Sequence, residues 1–150
     1  MAEAIRLSKI GSRTNKGGPF GAVIVKNGKI IAKGFNMVTS KNDPTGHAEI
    51  VAIRKACKKL NNFDLSGCEL YTSCEPCPMC LGAIYWAKLD KIYYANTRKD
   101  AAKIDFDDNF IYQELKRPLS KRRIPIKQIM SKEALKIFKE WNKKSDKIKY

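Results

Sequence analysis

The sequence predicts an α/β protein with three α/β/α layers, in which helices cover both faces of a central mixed sheet. Two β-type runs, residues 22–26 and 29–33, flank Asn27-Gly28, a dipeptide typical of two-residue hairpin turns. Farther along, residues 68–95 read as strand, helix and strand, a succession that implies a parallel crossover. An antiparallel hairpin and a parallel crossover in one sheet make that sheet mixed.

The first half of the chain supplies helices on either side of the hairpin. Residues 1–11 favour a first helix that ends at Gly11, followed by a polar, glycine-rich loop over residues 12–19. Residues 34–46 form a second loop, which delivers His47 to the start of a helix that runs to about Leu60. The inner stripe of that helix consists of small and apolar residues at helical spacing: Ala52, Ile53, Ala56, Cys57 and Leu60.

The crossover and the C-terminal third supply the remaining elements. The helix at residues 77–87 is more apolar than a surface helix, so we expect it to pack centrally. Residues 110–115 look helical, and residues 126–130 fit an edge strand. A last helix is expected over residues 131–141, with Ser131 as its cap and with Leu135, Phe138 and Trp141 facing inward.

Length and cysteine usage limit the class of protein. The 150 residues suit a single domain, 1–150, large enough to bury a core. We find neither a signal peptide nor an apolar run of the ~18–20 residues that a membrane span needs. Five cysteines, three of them clustered, do not resemble a disulfide framework. We therefore expect a cytoplasmic protein without a membrane partner.

The net charge of +15 raises the question of a nucleic-acid partner. Much of the excess lies in a basic C-terminal segment, residues 116–150, which holds 13 Lys and Arg against three acidic residues. The simpler interpretation is a solvated helix face, because 23 of the 30 basic residues are lysine and base-reading proteins rely more on arginine. Nucleic-acid binding stays open but is not favoured.

Two short motifs carry the chemistry. Cys77 and Cys80 lie three residues apart just after Pro76, a proline that can open a helix, so both thiols should lie on one face of its first turn. His47 offers an imidazole. Two cysteines and one histidine leave a fourth zinc position open for water, which is typical of a catalytic zinc.

Glu49 lies two residues beyond the histidine and is the candidate proton carrier. Zinc lowers the pKa of bound water from ~15.7 toward ~7. A carboxyl group tuned upward by partial burial can then move protons between that water and a substrate. His-x-Glu followed by Pro-Cys-x-x-Cys matches the known signature of zinc-dependent nucleobase deaminases.

Two other interpretations of the cysteines stay open on sequence alone. Cys74 is near enough to complete a closed structural site of three cysteines and one histidine, although that site gives Glu49 no purpose. A redox pair of Cys77 and Cys80 ignores the only histidine in the chain.

Nearly the whole chain resembles the cytidine deaminase superfamily, and more closely the small bacterial-type guanine deaminases. The closer resemblance to the guanine deaminases rests on the stretch Phe106-Asp107-Asp108. The other stretches that carry the resemblance are Gly17-Gly18-Pro19-Phe20-Gly21-Ala22, Asn42-Asp43-Pro44-Thr45, His47-Ala48-Glu49, and the block of residues 71–87 around the three cysteines.

The resemblance implies a cytidine deaminase-like fold and the zinc-dependent hydrolysis of guanine to xanthine and ammonia. Hydroxide would attack the amino-bearing ring carbon, with one zinc ion on His47, Cys77 and Cys80 and with Glu49 as proton shuttle. It also implies a set of substrate contacts: Asn36 and the backbone N–H of Ala48 on the purine edge, Phe20 on its ring, and Asp108 on the donors of guanine.

The resemblance further implies a homodimer that exchanges its C-terminal segment, so that Tyr150 closes the partner's site. The main alternative is a tRNA adenosine deaminase with the same zinc ligands and a use for a basic tail. The acidic pair at Asp107 and Asp108 argues against it, since it would repel phosphates. A non-catalytic zinc module is a third hypothesis.

Overall fold

The computed structural model describes residues 1–149, so Tyr150 lies outside the described residues. The backbone divides into two compact units, Met1–Asp108 and a second that begins at Asn109. The expectation of a single domain over 1–150 stays a prediction.

The first unit contains the sheet and five helices. In chain order these elements are α1 (Ala2–Arg13), β1 (Gly21–Lys26), β2 (Lys29–Phe35), α2 (Val38–Lys41), α3 (Ala48–Leu60), β3 (Cys68–Cys74), α4 (Pro78–Trp86), β4 (Lys91–Asn96) and α5 (Arg98–Ala102).

The four strands are ordered β2-β1-β3-β4. β1 pairs antiparallel with both β2 and β3, whereas β3 and β4 run parallel. The predicted hairpin is confirmed, because Asn27 and Gly28 take φ values of 50° and 72°, the left-handed pair that a tight hairpin turn needs. The predicted parallel crossover through α4 is confirmed as well, and the sheet is mixed.

Helices lie against both faces of the sheet. Ala22 and Gly34 are register partners and face α3, where a Cβ on Gly34 would meet the carbonyl of Ala48. Gly21 points to the opposite face, where a Cβ would meet the backbone of α1. The main core lies on the α3 side and includes Ile24, Leu70 and Ile84, so α4 packs on the same face as α3.

Several predictions about individual elements are wrong. α1 continues past Gly11. This glycine is buried, and a Cβ added to it would lie 3.3 Å from the carbonyl oxygen of Gly18. The short helix α2 lies in the stretch 34–46 that we expected to be a loop, and the short helix α5 was not predicted. α4 does not pack centrally, because Tyr85 is 75% exposed and Trp86 68% exposed, and only Cys80 and Ile84 of this helix are buried.

The second unit contains α6 (Asn109–Lys116), a 3-10 turn (Leu119–Lys121) and α7 (Ser131–Lys143). Residues 126–130 form no strand, contrary to our expectation. Ser131 is the first residue of α7 rather than its cap, since the helix follows Met130, which has left-handed φ. The prediction that α7 packs its apolar side chains inward is also wrong. Leu135, Phe138 and Trp141 are exposed, because so short a unit offers no core in which to bury them.

No helix within residues 1–149 is long and apolar enough to cross a membrane.

The close contact between Gly34 and α3 predicts a specific sensitivity. In Gly34→Ala the new Cβ would press on the Ala48 carbonyl and lie 2.8 Å from the Ala52 nitrogen, so we expect the free energy of unfolding to fall by about 1–3 kcal/mol. The matched control is Gly82→Ala in α4, where a Cβ meets nothing within 4 Å and is expected to be neutral or to stabilise by up to about 1 kcal/mol. Denaturant unfolding measures both, and equal stabilities would contradict the prediction.

Candidate active site

His47 lies at the N-cap of α3, held there by a tight turn. The carboxylate of Asp43 accepts hydrogen bonds from the N–H and the hydroxyl of Thr45, at 2.9 and 2.6 Å. The His47 N–H then donates to the Thr45 carbonyl at 2.7 Å. The turn therefore fixes where the imidazole leaves the backbone.

The two thiols come from the start of α4. Cys77 is the N-cap of this helix and Pro78 its first residue, a position where the missing N–H of proline costs nothing. Cys80 lies one turn farther on, fully buried. As the spacing predicted, both sulfur atoms lie on the same side of the first turn.

His47, Cys77 and Cys80 form a cluster whose ligand atoms all lie within 4.8 Å of one another. The His47 Nδ1 atom is 3.5 Å from each sulfur. In a tetrahedral zinc site, Zn–S bonds of about 2.3 Å and Zn–N bonds of about 2.0 Å place nitrogen and sulfur about 3.5 Å apart. The cluster therefore has the dimensions of three corners of a zinc tetrahedron.

The electrostatics of the cluster suit a cation. A hydrogen bond from Cys80 lowers the pKa of the Cys77 thiol to about 4, and His47 adds to this effect. The same hydrogen bond and burial raise the pKa of Cys80. The contact with Cys77 likewise raises the pKa of His47. One thiol is thus already a thiolate, the form that binds zinc.

Glu49 lies in the first turn of α3 and is buried, with 6% of its surface exposed. Burial is the main cause that raises the pKa of its carboxyl group, and the Cys77 thiolate adds to it. The Glu49 carboxyl group interacts with the Cys80 thiol, which places it beside the zinc cluster. A carboxyl with a raised pKa next to a metal site is suited to accept and return a proton near neutral pH.

Cys74 takes no part in the cluster among the described residues. Its Sγ donates instead to the Thr97 carbonyl at 3.6 Å, and burial raises its pKa to about 11. A protonated thiol turned toward β4 does not complete a closed structural site. With three protein ligands, the zinc site keeps the open position that a catalytic metal requires.

Asn36 is buried next to the loop that follows α1. Its Oδ1 accepts hydrogen bonds from the N–H groups of Gly18 and Val38, both at 3.2 Å. These bonds fix which end of the amide is oxygen and leave the NH2 group as the donor end. A side chain on Gly17 would collide with both the backbone and the amide of Asn36, so this position requires glycine.

Phe20 and Asp108 belong to the same unit as the cluster. The Phe20 ring makes an edge contact with Phe106 at a centroid distance of 4.9 Å, which sequence reasoning missed even though Phe106 begins the motif that contains Asp108. Asp108 is half-buried, and burial followed by the Cys77 thiolate raises the pKa of its carboxyl. Asp108 therefore lies within electrostatic reach of the zinc cluster.

Ala48 is the first residue of α3 and is completely buried. An N–H at this helical position has no acceptor within the helix, so it is available to a ligand. Tyr150 lies outside the described residues.

Together, the mixed sheet with α3 and α4 on one face and an open His-Cys-Cys cluster beside a buried glutamate define a zinc-dependent deaminase. Residues 1–96 match the cytidine and deoxycytidylate deaminase zinc-binding region, and the chain belongs to this family.

Individual relatives give a finer comparison. The guanine deaminase of Bacillus subtilis is 53% identical over 150 residues, which span 100% of this chain and 96% of that protein. The crystal structure of the B. subtilis enzyme superposes with a TM-score of 0.96 over 99% of this chain and 95% of that one. The tRNA-specific adenosine deaminase of Aquifex aeolicus is 48% identical, but only over 77 residues, 51% of each chain.

The cluster predicts one zinc ion per chain. Cys77→Ser replaces a thiolate ligand, so we expect the zinc content of the purified protein to fall well below one and the melting temperature to fall with it. Cys57→Ser is the control, since this thiol is free and outside the cluster. Mass spectrometry of the metal content checks the result, and full zinc occupancy in Cys77→Ser would contradict the assignment.

Proposed function

We propose that the protein is a zinc-dependent guanine deaminase that hydrolyses guanine to xanthine and ammonia. The observation that carries the proposal is the similarity to a guanine deaminase over the whole chain, including the second unit. The tRNA-specific adenosine deaminases are less similar: one is 48% identical over 51% of this chain, and another is 36% identical over 83% of it.

The protein's own residues supply proton transfer. Zinc, when bound to His47, Cys77 and Cys80, makes water acidic enough to yield hydroxide at neutral pH. The Glu49 carboxylate accepts the water's proton, passes it to the ring nitrogen of the base, and then assists the departing amine. A C–O bond forms and the C–N bond breaks, so that water and guanine become xanthine and ammonia.

Four groups of the protein contact different parts of the purine in this proposal. The NH2 group of Asn36 and the N–H of Ala48 donate to acceptors on the purine edge, and Phe20 packs on the ring. The carboxylate of Asp108 accepts from the N–H and amino donors of guanine, which adenine does not present in the same arrangement. Support comes from the orientation of the Asn36 amide and from the place of Asp108 near Cys77.

The decisive experiment offers guanine, adenine, cytosine and a tRNA substrate to the zinc-loaded protein and follows each by ultraviolet absorbance or inosine analysis. We expect conversion of guanine alone. Inosine in the tRNA with guanine untouched would favour a tRNA adenosine deaminase and give the basic segment 116–150 a binding role.

The role of Glu49 is tested by Glu49→Gln. An amide cannot carry the proton, so we expect guanine turnover to fall by a factor of 10² or more, while one zinc ion per chain remains. Turnover measured together with metal content separates this outcome from loss of the site. Unchanged turnover would exclude the proposed shuttle and would suit a non-catalytic zinc module.

The role of Asp108 is tested by Asp108→Asn, which replaces an acceptor with a mixed donor and acceptor. We expect kcat/KM for guanine to fall by about 10²-fold, since an unmatched polar pair forms against the base. Asp107→Asn is the control, because Asp107 is exposed. Steady-state kinetics give kcat/KM for guanine in both variants. Equal losses of kcat/KM would show that the effect depends only on the local charge.

We also propose a homodimer that exchanges its C-terminal segment, residues 116–150, with Tyr150 closing the partner's site. Both units leave apolar surface exposed, as a chain awaiting a partner would. Tyr85, Trp86 and Tyr94 are exposed in the first unit, as are Phe138 and Trp141 on α7 in the second. Exposed large apolar side chains can mark association sites when they adjoin one another.

The dimer predicts a mass of two chains in light scattering after gel filtration at micromolar concentration. Trp86→Glu introduces a charge into the exposed face of α4 and should shift the protein toward monomers. Lys58→Glu, at an exposed position on α3, is the control for a change of charge alone. A native protein that stays monomeric at micromolar concentration would count against the exchange.

We propose a cytoplasmic location. The five cysteines are free, and the zinc cluster needs two of them as thiolates, which fits a reducing compartment.

A further inference from the structure

The turn that leads into the zinc cluster is joined to the start of α5 by three contacts. The Glu75 N–H donates to the Asn96 carbonyl at 2.8 Å, and the Cys74 thiol contacts the Thr97 carbonyl at 3.6 Å. The Glu75 carboxylate accepts from the Arg98 N–H at 3.0 Å. Only the last of these three contacts depends on the chemistry of Glu75's own side chain.

Glu75 has no part in the zinc chemistry described above. Its carboxylate lies outside the metal cluster of the described residues, and proton transfer belongs to Glu49. Its Oε2 is occupied by the first N–H of α5, a group without an acceptor inside the helix. The side chain therefore links the residue before Pro76 directly to α5, two residues from the ligand Cys77.

α5 in turn anchors the loop that carries Phe106 and Asp108. The Phe106 N–H donates to the Ala101 carbonyl at 3.1 Å, so the loop after α5 is anchored to the helix itself. Phe106 then packs against Phe20 and would touch any side chain placed on Gly18. Asp108 follows two residues later. A displacement of α5 is thus passed on to both Phe106 and Asp108.

We propose that Glu75 is a positioning residue that sets the distance between the zinc cluster and the base-reading carboxylate of Asp108. This inference rests on the proposed deamination of guanine. The hydrolytic groups stand on α3 and α4, whereas Asp108 stands at the end of the α5 segment. The hydrogen bond from the Arg98 N–H to the Glu75 carboxylate joins these two parts directly. A misplacement of about 1 Å in such a site costs about 10²-fold in rate.

The test compares Glu75→Ala with Glu75→Gln. Alanine removes the acceptor, and we expect kcat/KM for guanine to fall 10- to 100-fold, mainly through KM, with one zinc ion per chain retained. Glutamine keeps an oxygen that accepts from the Arg98 N–H, so it should restore most of the loss. A Glu75→Ala enzyme with native kinetics, or a Glu75→Gln enzyme as impaired as Glu75→Ala, would overturn the proposal.

A purely structural role is separated by Asp100→Ala. Asp100 caps the same helix through Thr97, with bonds of 3.1 and 2.7 Å, but makes no bond to Glu75. We expect this variant to lose stability while its kcat/KM stays within about threefold of the native value. Equal kinetic losses in Asp100→Ala and Glu75→Ala would assign the effect to general weakening of α5.

The route through Asp108 is tested by adding Glu75→Ala to Asp108→Asn. If Glu75 acts by placing this carboxylate, the second change costs little once the carboxylate is gone, whereas independent effects would multiply. Multiplication would overturn the route. Failure of the proposed function itself looks different, since the native protein would then leave guanine unchanged before any variant is made.

Discussion

The structure depends on the meeting of two helix N-termini at one end of the sheet. His47 opens α3 and the cysteine pair opens α4, although Cys77 comes 30 positions after His47 in the chain. Both helices must therefore begin at the same level on the same face, which the parallel step from β3 to β4 makes possible. The partial positive charge at both helix starts also favours the thiolate form of the cysteines.

Small residues allow this meeting. α3 approaches the sheet through Ala48 and Ala52, which face Gly34 on β2. The close approach buries the first turn of α3, and burial in turn raises the pKa of Glu49. The packing of a glycine against two alanines thus has a chemical effect at the site. Core geometry and proton transfer are parts of one arrangement.

The sequence was sufficient for the hairpin, the crossover and the zinc ligands, because each depends on local signals. Asn27-Gly28 selects its turn, and the Cys-x-x-Cys spacing places both thiols on one helical face. The sequence was insufficient to predict how α4 packs, because an apolar helix has the same residue pattern whether it packs into a core or against another chain. α5 was missed because five residues show no periodicity, and its only signal is the capping pair Thr97 and Asp100.

The two edges of the sheet are unequal. The outer strand β2 carries Lys29 and Lys33, charges of the kind that discourage pairing with another strand. Within the described residues β4 pairs only with β3, and it presents Tyr93 and Tyr94 with a single lysine at its start. The β4 edge therefore has less charge than the β2 edge to discourage pairing with a strand of another chain, and it is the edge at which we expect aggregation to begin.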